Sequence, residues 1–299
     1  MAKPPSPCGG RRLRRCLNGT MPSSLHSDLS RPPLDQQALH QALVQPGALW
    51  TSVHVVPSLG STNTELLAQA RQGAPAGTVL VTEHQTAGRG RLGRSFHTPA
   101  RAALTFSVLL RPTVPSARYG WLPLLMGAAT AAGVRRVAAV DAQVKWPNDV
   151  LAQDRKIAGI LSEAVFGPSG PAVVIGTGLN VTQTAAELPV PTATSLALAG
   201  ASCVDRGLLL CAILQAFADR YTRWVEHDGD AERSGLAAEY RSVCSTLGQQ
   251  VRVHLPGNSV VEGTAMGIDT DGRLQVRSDG GRDHALTVGD VVHVRFAGP

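Results

Sequence analysis

Two runs of β-forming residues constrain this chain more than any other feature. They are Thr78-Val79-Leu80-Val81-Thr82 and Ala102-Ala103-Leu104-Thr105-Phe106-Ser107-Val108-Leu109-Leu110. Between them lies Glu83-His84-Gln85-Thr86-Ala87-Gly88-Arg89-Gly90-Arg91-Leu92-Gly93-Arg94, where three glycines alternate with three arginines. Apolar runs bounded by glycine read as strands, so the glycine-arginine stretch is a loop joining two of them. The same letters, Gly88-x-Gly90-x-x-Gly93, match the dinucleotide fingerprint, but that motif must open a helix whose N-terminus takes the pyrophosphate. Here Ser95-Phe96-His97-Thr98-Pro99 and a second strand follow instead. A phosphate-binding P-loop is excluded as well, because no Gly-Lys-Ser/Thr follows the glycines.

No acidic residue occurs between Glu83 and Asp141, whereas eight arginines do. Guanidinium groups without local carboxylates call for an external anion, and phosphate matches their fork bidentately. The plain alternative is a solvated, arginine-rich surface loop. The formal charge of +6 does not extend this to a nucleic-acid surface. Residues 1–31 carry Lys3, Arg11, Arg12, Arg14, Arg15 and Arg31 against Asp28, so 6 − 1 = +5 belongs to that segment and 6 − 5 = +1 to the rest. A nearly neutral folded part argues against specific DNA binding. A DNA-binding regulator is the alternative this weighs against; the basic tail itself leaves an RNA-binding or targeting arm as the alternative to plain disorder.

Cys8, Cys16, Cys203, Cys211 and Cys244 are scattered and odd in number, which predicts reduced thiols in a cytoplasmic protein. The Arg11–Arg15 cluster leads into Asn18-Gly19-Thr20, not an apolar segment, so no signal peptide is expected. The most apolar stretch, Trp121 to Val134, contains Pro123, Gly127 and Gly133 and is too short for a bilayer. No membrane association is expected.

Residues 1–33, rich in proline, serine and arginine, predict a disordered basic tail. Residues 34–245 predict an α+β domain, a mixed sheet with helices packed on it. Its helices are expected over Leu34–Val44, from Ser61-Thr62 to Gly73, over Arg118–Ala139, from Asp205 to about Glu226, and over Ala231–Cys244. Its further strands are Leu49–Val56, Gln143–Trp146, Ile157–Glu163 and Ala172–Val181, with a hairpin tip at Asp154-Arg155-Lys156 and a turn at Pro168–Pro171. Thr62 with Glu65 reads as a capping box, though a helix N-terminus with free hydroxyls also suits a polar ligand. From Gly248 short strands recur between Gly257-Asn258, Asp271-Gly272, Asp279-Gly280-Gly281 and Gly289-Asp290, predicting a small β-barrel over 246–299.

Five motifs together carry a resemblance. Ser61-Thr62-Asn63, Gln85-x-x-Gly88-Arg89-Gly90-Arg91-x-Gly93-Arg94, Lys145-Trp146-Pro147-Asn148-Asp149, Lys156-x-x-Gly159-Ile160-Leu161-x-Glu163 and Gly176-x-Gly178-Leu179-Asn180 occur in the order and spacing of the biotin protein ligases. The likeness spans about residues 49–295 and resembles the short, non-repressor kind. It implies a fold like that of class II aminoacyl-tRNA synthetases and biotin synthetases, followed by an SH3-like C-terminal domain. Lipoate ligases and octanoyltransferases share the general architecture, but the complete glycine-arginine loop and the C-terminal region favour biotin.

The resemblance implies a ligase that makes biotinyl-5'-AMP from biotin and MgATP, then acylates a lysine of a biotin carboxyl carrier protein. It assigns Ser61, Thr62, Asn63, Gln85, Arg89, Gly90, Arg91, Lys156 and Gly159 to biotin. It assigns Arg91, Arg94, Phe96, Lys145, Asn148 and Asn180 to the nucleotide. Arg91, Lys156 and Asp149 are the expected catalytic residues, with Asp149 either a base or a Mg²⁺ ligand. For Lys145 and Trp146, strand packing is an equal alternative. Phe96 stands where the family usually has tryptophan, which keeps an aromatic face but loses the indole N–H. The family also admits a homodimer.

Overall fold

The computed structural model describes residues 31–167, 170–257, 259–287 and 289–293. The two runs flanking the loop form β2 (Thr78–Thr82) and β3 (Ala103–Leu110), and both are buried along their whole length. Strands covered on both faces read as continuous apolar runs, which is what the sequence shows. They join β1 (Ser52–Val56), β4 (Ala142–Lys145), β5 (Asp149–Ala152), β6 (Arg155–Gly167) and β7 (Gly170–Asn180) in the order β1-β2-β3-β7-β6-β5-β4. Only β1 and β2 run parallel; every other pair is antiparallel, so the sheet is mixed as expected.

One face carries the main core with α1 (Gln36–Leu43), α3 (Trp121–Ala138) and α4 (Arg206–Glu226). The other is covered by α2 (Thr62–Arg71), whose Leu66, Leu67 and Ala70 pack on Leu80, Leu109, Val165 and Val174. Side chains alternate along a strand, so Thr105 and Ser107 share the face of Leu109, and Gly176 and Gly178 that of Val174. The α2 face is therefore apolar under the helix body and polar or glycine-lined beyond its N-terminus. That boundary is where the site forms.

Several boundaries differ from expectation. The helix-initiating residue of α2 is Ser61, whose hydroxyl accepts from Thr64 N, and not Thr62, which is drawn into the site instead. Before α3, Ser116–Gly120 forms a 3-10 turn, so the helix starts later than Arg118. The hairpin tip is Gln153-Asp154, both left-handed (φ 51° and 59°), one residue ahead of the predicted tip. The last helix, α5, is confined to Leu236–Val243, and the turn predicted at Pro168–Pro171 lies partly outside the described residues. Of the predicted tail, residues 1–30 lie outside the described residues. Arg31, expected to be disordered, pairs with Glu187 at 2.7 Å.

The C-terminal strands β8 (Gln250–His254), β9 (Val260–Ile268), β10 (Leu274–Arg277), β11 (Asp283–Leu286) and β12 (Asp290–His293) form the antiparallel order β11-β10-β9-β8-β12. This is the SH3-like C-terminal domain, seen as an antiparallel sheet in which, among the described residues, no pairing joins β11 to β12. It docks on the larger domain through tryptophan. Trp121 Nε1 donates to Asp269 O and Thr270 O at 3.2 and 3.1 Å, and Trp146 Nε1 donates to Gly272 O at 3.2 Å. Gly272, at φ 82°, lies against Gly120, where a Cβ would come within 2.6 Å of backbone carbon. Trp146 is thus a packing residue of the junction.

Candidate active site

Beyond the N-terminus of α2, the loop and strands β3, β6 and β7 line a cleft. Its neutral end is a closed hydrogen-bond network. Gln85 Oε1 accepts from Thr62 N at 2.8 Å and from Thr62 Oγ1 at 3.2 Å. Ser107 Oγ lies 2.7 Å from Thr62 Oγ1 and 2.6 Å from Asn63 Oδ1. Asn63 Nδ2 donates to Leu161 O at 3.0 Å and Glu163 Oε2 at 2.9 Å. Glycine at 176 leaves room for this, since a Cβ there would stand 2.2 Å from Asn63 Oδ1. Because Gln85 spends its carbonyl on Thr62, its amide N–H groups are the part left for a ligand acceptor. Buried polar groups bonded to one another in this way hold their orientation.

The other end is charged. The glycine-arginine loop turns back on itself, with Gly90 N donating to Arg94 O at 2.7 Å and Phe96 N to Gly88 O at 2.9 Å. A left-handed Leu92 and Gly93 form its tip. Arg89 pairs with Glu163 at 3.2 Å, Arg91 donates to Asn148 Oδ1 at 3.0 Å, and Arg94 pairs with Asp290 of the C-terminal sheet. The expectation of arginines without protein partners is therefore corrected. Their partners come from β6, the β4–β5 turn and β12, all far away in sequence.

Lys156 Nζ lies 2.5 Å from Asp149 Oδ1, and Lys145 stands opposite Asp149 in the β4–β5 ladder. Burial pulls Lys145 below the usual lysine range, with Asp149 opposing and Lys156 adding to the effect. Burial likewise lowers Arg91, against the attraction of Asp290 and Asp149. An arginine so lowered keeps its charge.

The cleft brings together Ser61, Thr62, Asn63, Gln85, Arg89, Gly90, Arg91, Arg94, Phe96, Asn148, Lys156 and Gly159 of the sequence-predicted set. Asp149 and Lys145 do not line it, but Asp149 meets it through its pair with Lys156. Asn180 does not reach it: its Nδ2 donates to Thr194 O and its Oδ1 accepts from Gln183 Nε2, each at 3.0 Å. That amide ties the end of β7 to the following loop.

A family model for the biotin/lipoate A/B protein ligase family matches residues 55–180, and one for the biotin protein ligase C terminal domain matches residues 246–294. A biotin--[acetyl-CoA-carboxylase] ligase of Mycobacterium tuberculosis is 44% identical over 273 residues, covering 90% of this chain and 98% of that protein. The chain belongs to the biotin protein ligases. The bifunctional ligase/repressor BirA of Escherichia coli is 33% identical over 236 residues, 77% of this chain and 70% of its own. Among solved biotin protein ligases, that of Aquifex aeolicus in complex with biotin and ATP superposes with a TM-score of 0.68 at 25% identity, over 83% of this chain and all (100%) of that one. That of Leishmania major in complex with biotinyl-5-AMP gives 0.54 at 26% identity, over 79% and 98%.

Sequence reasoning about this biotin protein ligase missed Ser107 and Thr105 as site residues. Their signal was present: two polar residues at alternate positions of an otherwise apolar, buried strand. The ligase also uses Gly178 sterically, since a Cβ there would stand 2.7 Å from the Phe96 ring. Glu163 was visible within a motif, yet its pairing with both Asn63 and Arg89 was not.

Proposed function

We propose that the cleft carries out both half-reactions of a biotin protein ligase. In the first, biotin's carboxylate oxygen attacks the α-phosphorus of ATP, forming the acyl-phosphate bond of biotinyl-5'-AMP and releasing pyrophosphate. In the second, a lysine amine of a carrier domain attacks the acyl carbon, an amide forms and AMP leaves. The observation that carries this reading is the continuity of two environments. A neutral pocket of mutually bonded polar groups, with the Gln85 amide still open, leads directly onto Arg89, Arg91 and Lys156.

Two anions must meet for the first step, and their repulsion is what fixed cations remove. Arg91 and Lys156 stand where the carboxylate and α-phosphate would meet. Arg94 and Asn148 extend the polar surface towards the rest of the nucleotide, and Phe96 supplies an aromatic face. Ser61, Thr62 and Gln85 take the ureido end of biotin, with Asn63 positioning them. Asn180 supports β7 and has no direct part.

Mg²⁺ fits this donor set. Among the described residues no cluster of three or more metal-ligating side chains exists, and Mg²⁺ is commonly held by one or two carboxylates with substrate phosphates. Asp149 Oδ1 is held by the Lys156 ammonium at 2.5 Å, so this carboxylate would take the metal only by exchanging that partner as Lys156 turns to the phosphate. When bound, the metal would neutralise phosphate charge. The same carboxylate is suited to deprotonate the incoming lysine, of which only about one part in a thousand is neutral near pH 7 from a pKa of about 10.4.

The acceptor is taken to be the carrier domain of a biotin-dependent carboxylase, in the cytoplasm, without sequence-specific DNA contact or a membrane. A homodimer is compatible with this. Incubating the protein with biotin, MgATP and a biotin-acceptor domain should add the mass of one biotinyl group. An unmodified acceptor together with no pyrophosphate release would refute the reading. In Asp149→Asn, normal rates of both half-reactions would remove that residue from the mechanism.

A further inference from the structure

A buried ion pair outside the cleft is unused by the chemistry above. Glu83 follows β2 directly and Arg206 opens α4; they pair at 2.5 Å with their side chains only 8% and 6% exposed. Buried charges are costly unless every valence is met. Here they are met by backbone at particular places. Arg206 also donates to Ala103 O at 3.4 Å and Pro32 O at 2.6 Å, while Glu83 also accepts from Leu34 N at 2.6 Å.

These contacts lie at both stems of the site loop. Glu83 is its first residue and Ala103 begins β3 on the far side. The stems are stitched together at the same point, where Arg101 N donates to Glu83 O at 2.8 Å. Two residues beyond Glu83 is Gln85, the hub of the neutral network, and the ladder continues there through Leu59 N to His84 O and Thr86 N to Leu59 O. A shift of the Glu83 stem would therefore move Gln85 relative to Thr62. Asn148 and Lys156 belong to the β4–β5–β6 side of the cleft; Asn148 meets the loop farther from the stem, accepting from Arg91 at 3.0 Å.

We propose that Arg206, acting through Glu83, is a positioning residue for the biotin end of the cleft. It clamps the stems of the loop so that Gln85 and Arg89 are presented in register with α2. The segment Arg31–Leu34 belongs to the clamp, since Pro32 and Leu34 fill its remaining valences and Arg31 is tied to Glu187. The inference rests on the functional reading only in taking this end as the biotin end.

The test uses Arg206→Lys and Glu83→Gln in the full chain. A lysine keeps the charge, but its single ammonium cannot span the three acceptors that the guanidinium fork reaches. In both variants the Kd for biotin should rise about tenfold, as misplacement from a distance can do, while that for ATP stays within about twofold. Amide exchange of residues 85–90 in the ligand-free protein should accelerate about tenfold against unchanged exchange in β7. A lowered Tm with both affinities intact would overturn the proposal, as would equal loss of both. The exchange measurement needs no ligand. If the wild type binds no biotin, the functional reading fails, while accelerated or unaltered exchange still decides for or against the clamp.

Discussion

The two ends of the cleft solve the problem of holding a ligand in opposite ways. The neutral end is buried and locked: Ser107 is fully buried, Thr62, Asn63 and Gln85 nearly so, and each is bonded to the next. The charged end is more open, with the side chains of Arg89, Arg94 and Lys156 50%, 63% and 41% exposed. Its cations are held by partners that a ligand anion could replace. Preorganised neutral donors suit a ligand that must be recognised by shape; exchangeable ion pairs suit one that arrives, reacts and leaves as pyrophosphate or AMP.

The largest effect that would test this contrast is at Lys156. Lys156→Ala should slow biotinyl-5'-AMP formation by about 10²–10³-fold, the usual cost of losing a donor aimed at developing charge. Biotin binding, measured by titration calorimetry, should weaken far less; a parallel collapse of both would erase the distinction between the ends. Next is Arg91→Gly, which should release the adenylate about tenfold or more faster, because a charge-assisted contact is gone. Label should then spread to lysines outside the acceptor domain, detectable by peptide mass spectrometry, and unchanged acceptor selectivity with activity retained would count against the role.

At the neutral end, Ser107→Ala removes the donor to Thr62 or Asn63 and should cost about 1–3 kcal/mol of stability, read from denaturant unfolding. It should also weaken biotin and leave the KM for ATP nearly unchanged. Gly178→Ala is milder. Its Cβ would displace the Phe96 ring, raising the KM for ATP a few-fold, and a compensating change confined to biotin would place the ring at the wrong end. The smallest effect concerns Lys145, whose pKa burial depresses in the folded chain. Between that lowered value and 10.5 the unfolded chain binds a proton the folded chain does not, so this group makes stability rise with pH there. Lys145→Met should flatten that slope in thermal unfolding series, and an unaltered slope would show that Lys145 is not its source.

Much of this was readable before any coordinates. Strand-loop-strand around the arginines, the mixed sheet, the Asp205-capped helix and the change of texture near Gly248 follow from period and punctuation, which are local. Most of the cleft lining followed from motifs. What was not legible shares a cause. Thr62 reads as a cap because capping is judged from near neighbours, but Gln85 and Ser107 compete for its hydroxyl across the sheet. Asn180 reads as a nucleotide residue from its place in a motif, yet Thr194 and Gln183 occupy it. The C-terminal β-barrel follows from strand spacing, which says nothing of which strands pair last; among the described residues β11 and β12 are the two edges of its sheet.

The amino-acid order by itself determined where backbone must be extended, helical or turning, and which chemical groups were available to meet an anion. It could not determine which carboxylate would stand beside which arginine. Glu163 and Asp290 reach the loop only because β6 folds beside β7 and the C-terminal sheet docks on Trp121 and Trp146. Ion pairing and burial depend on distance in space, and a sheet that places β3 against β7 brings together residues that the chain keeps far apart.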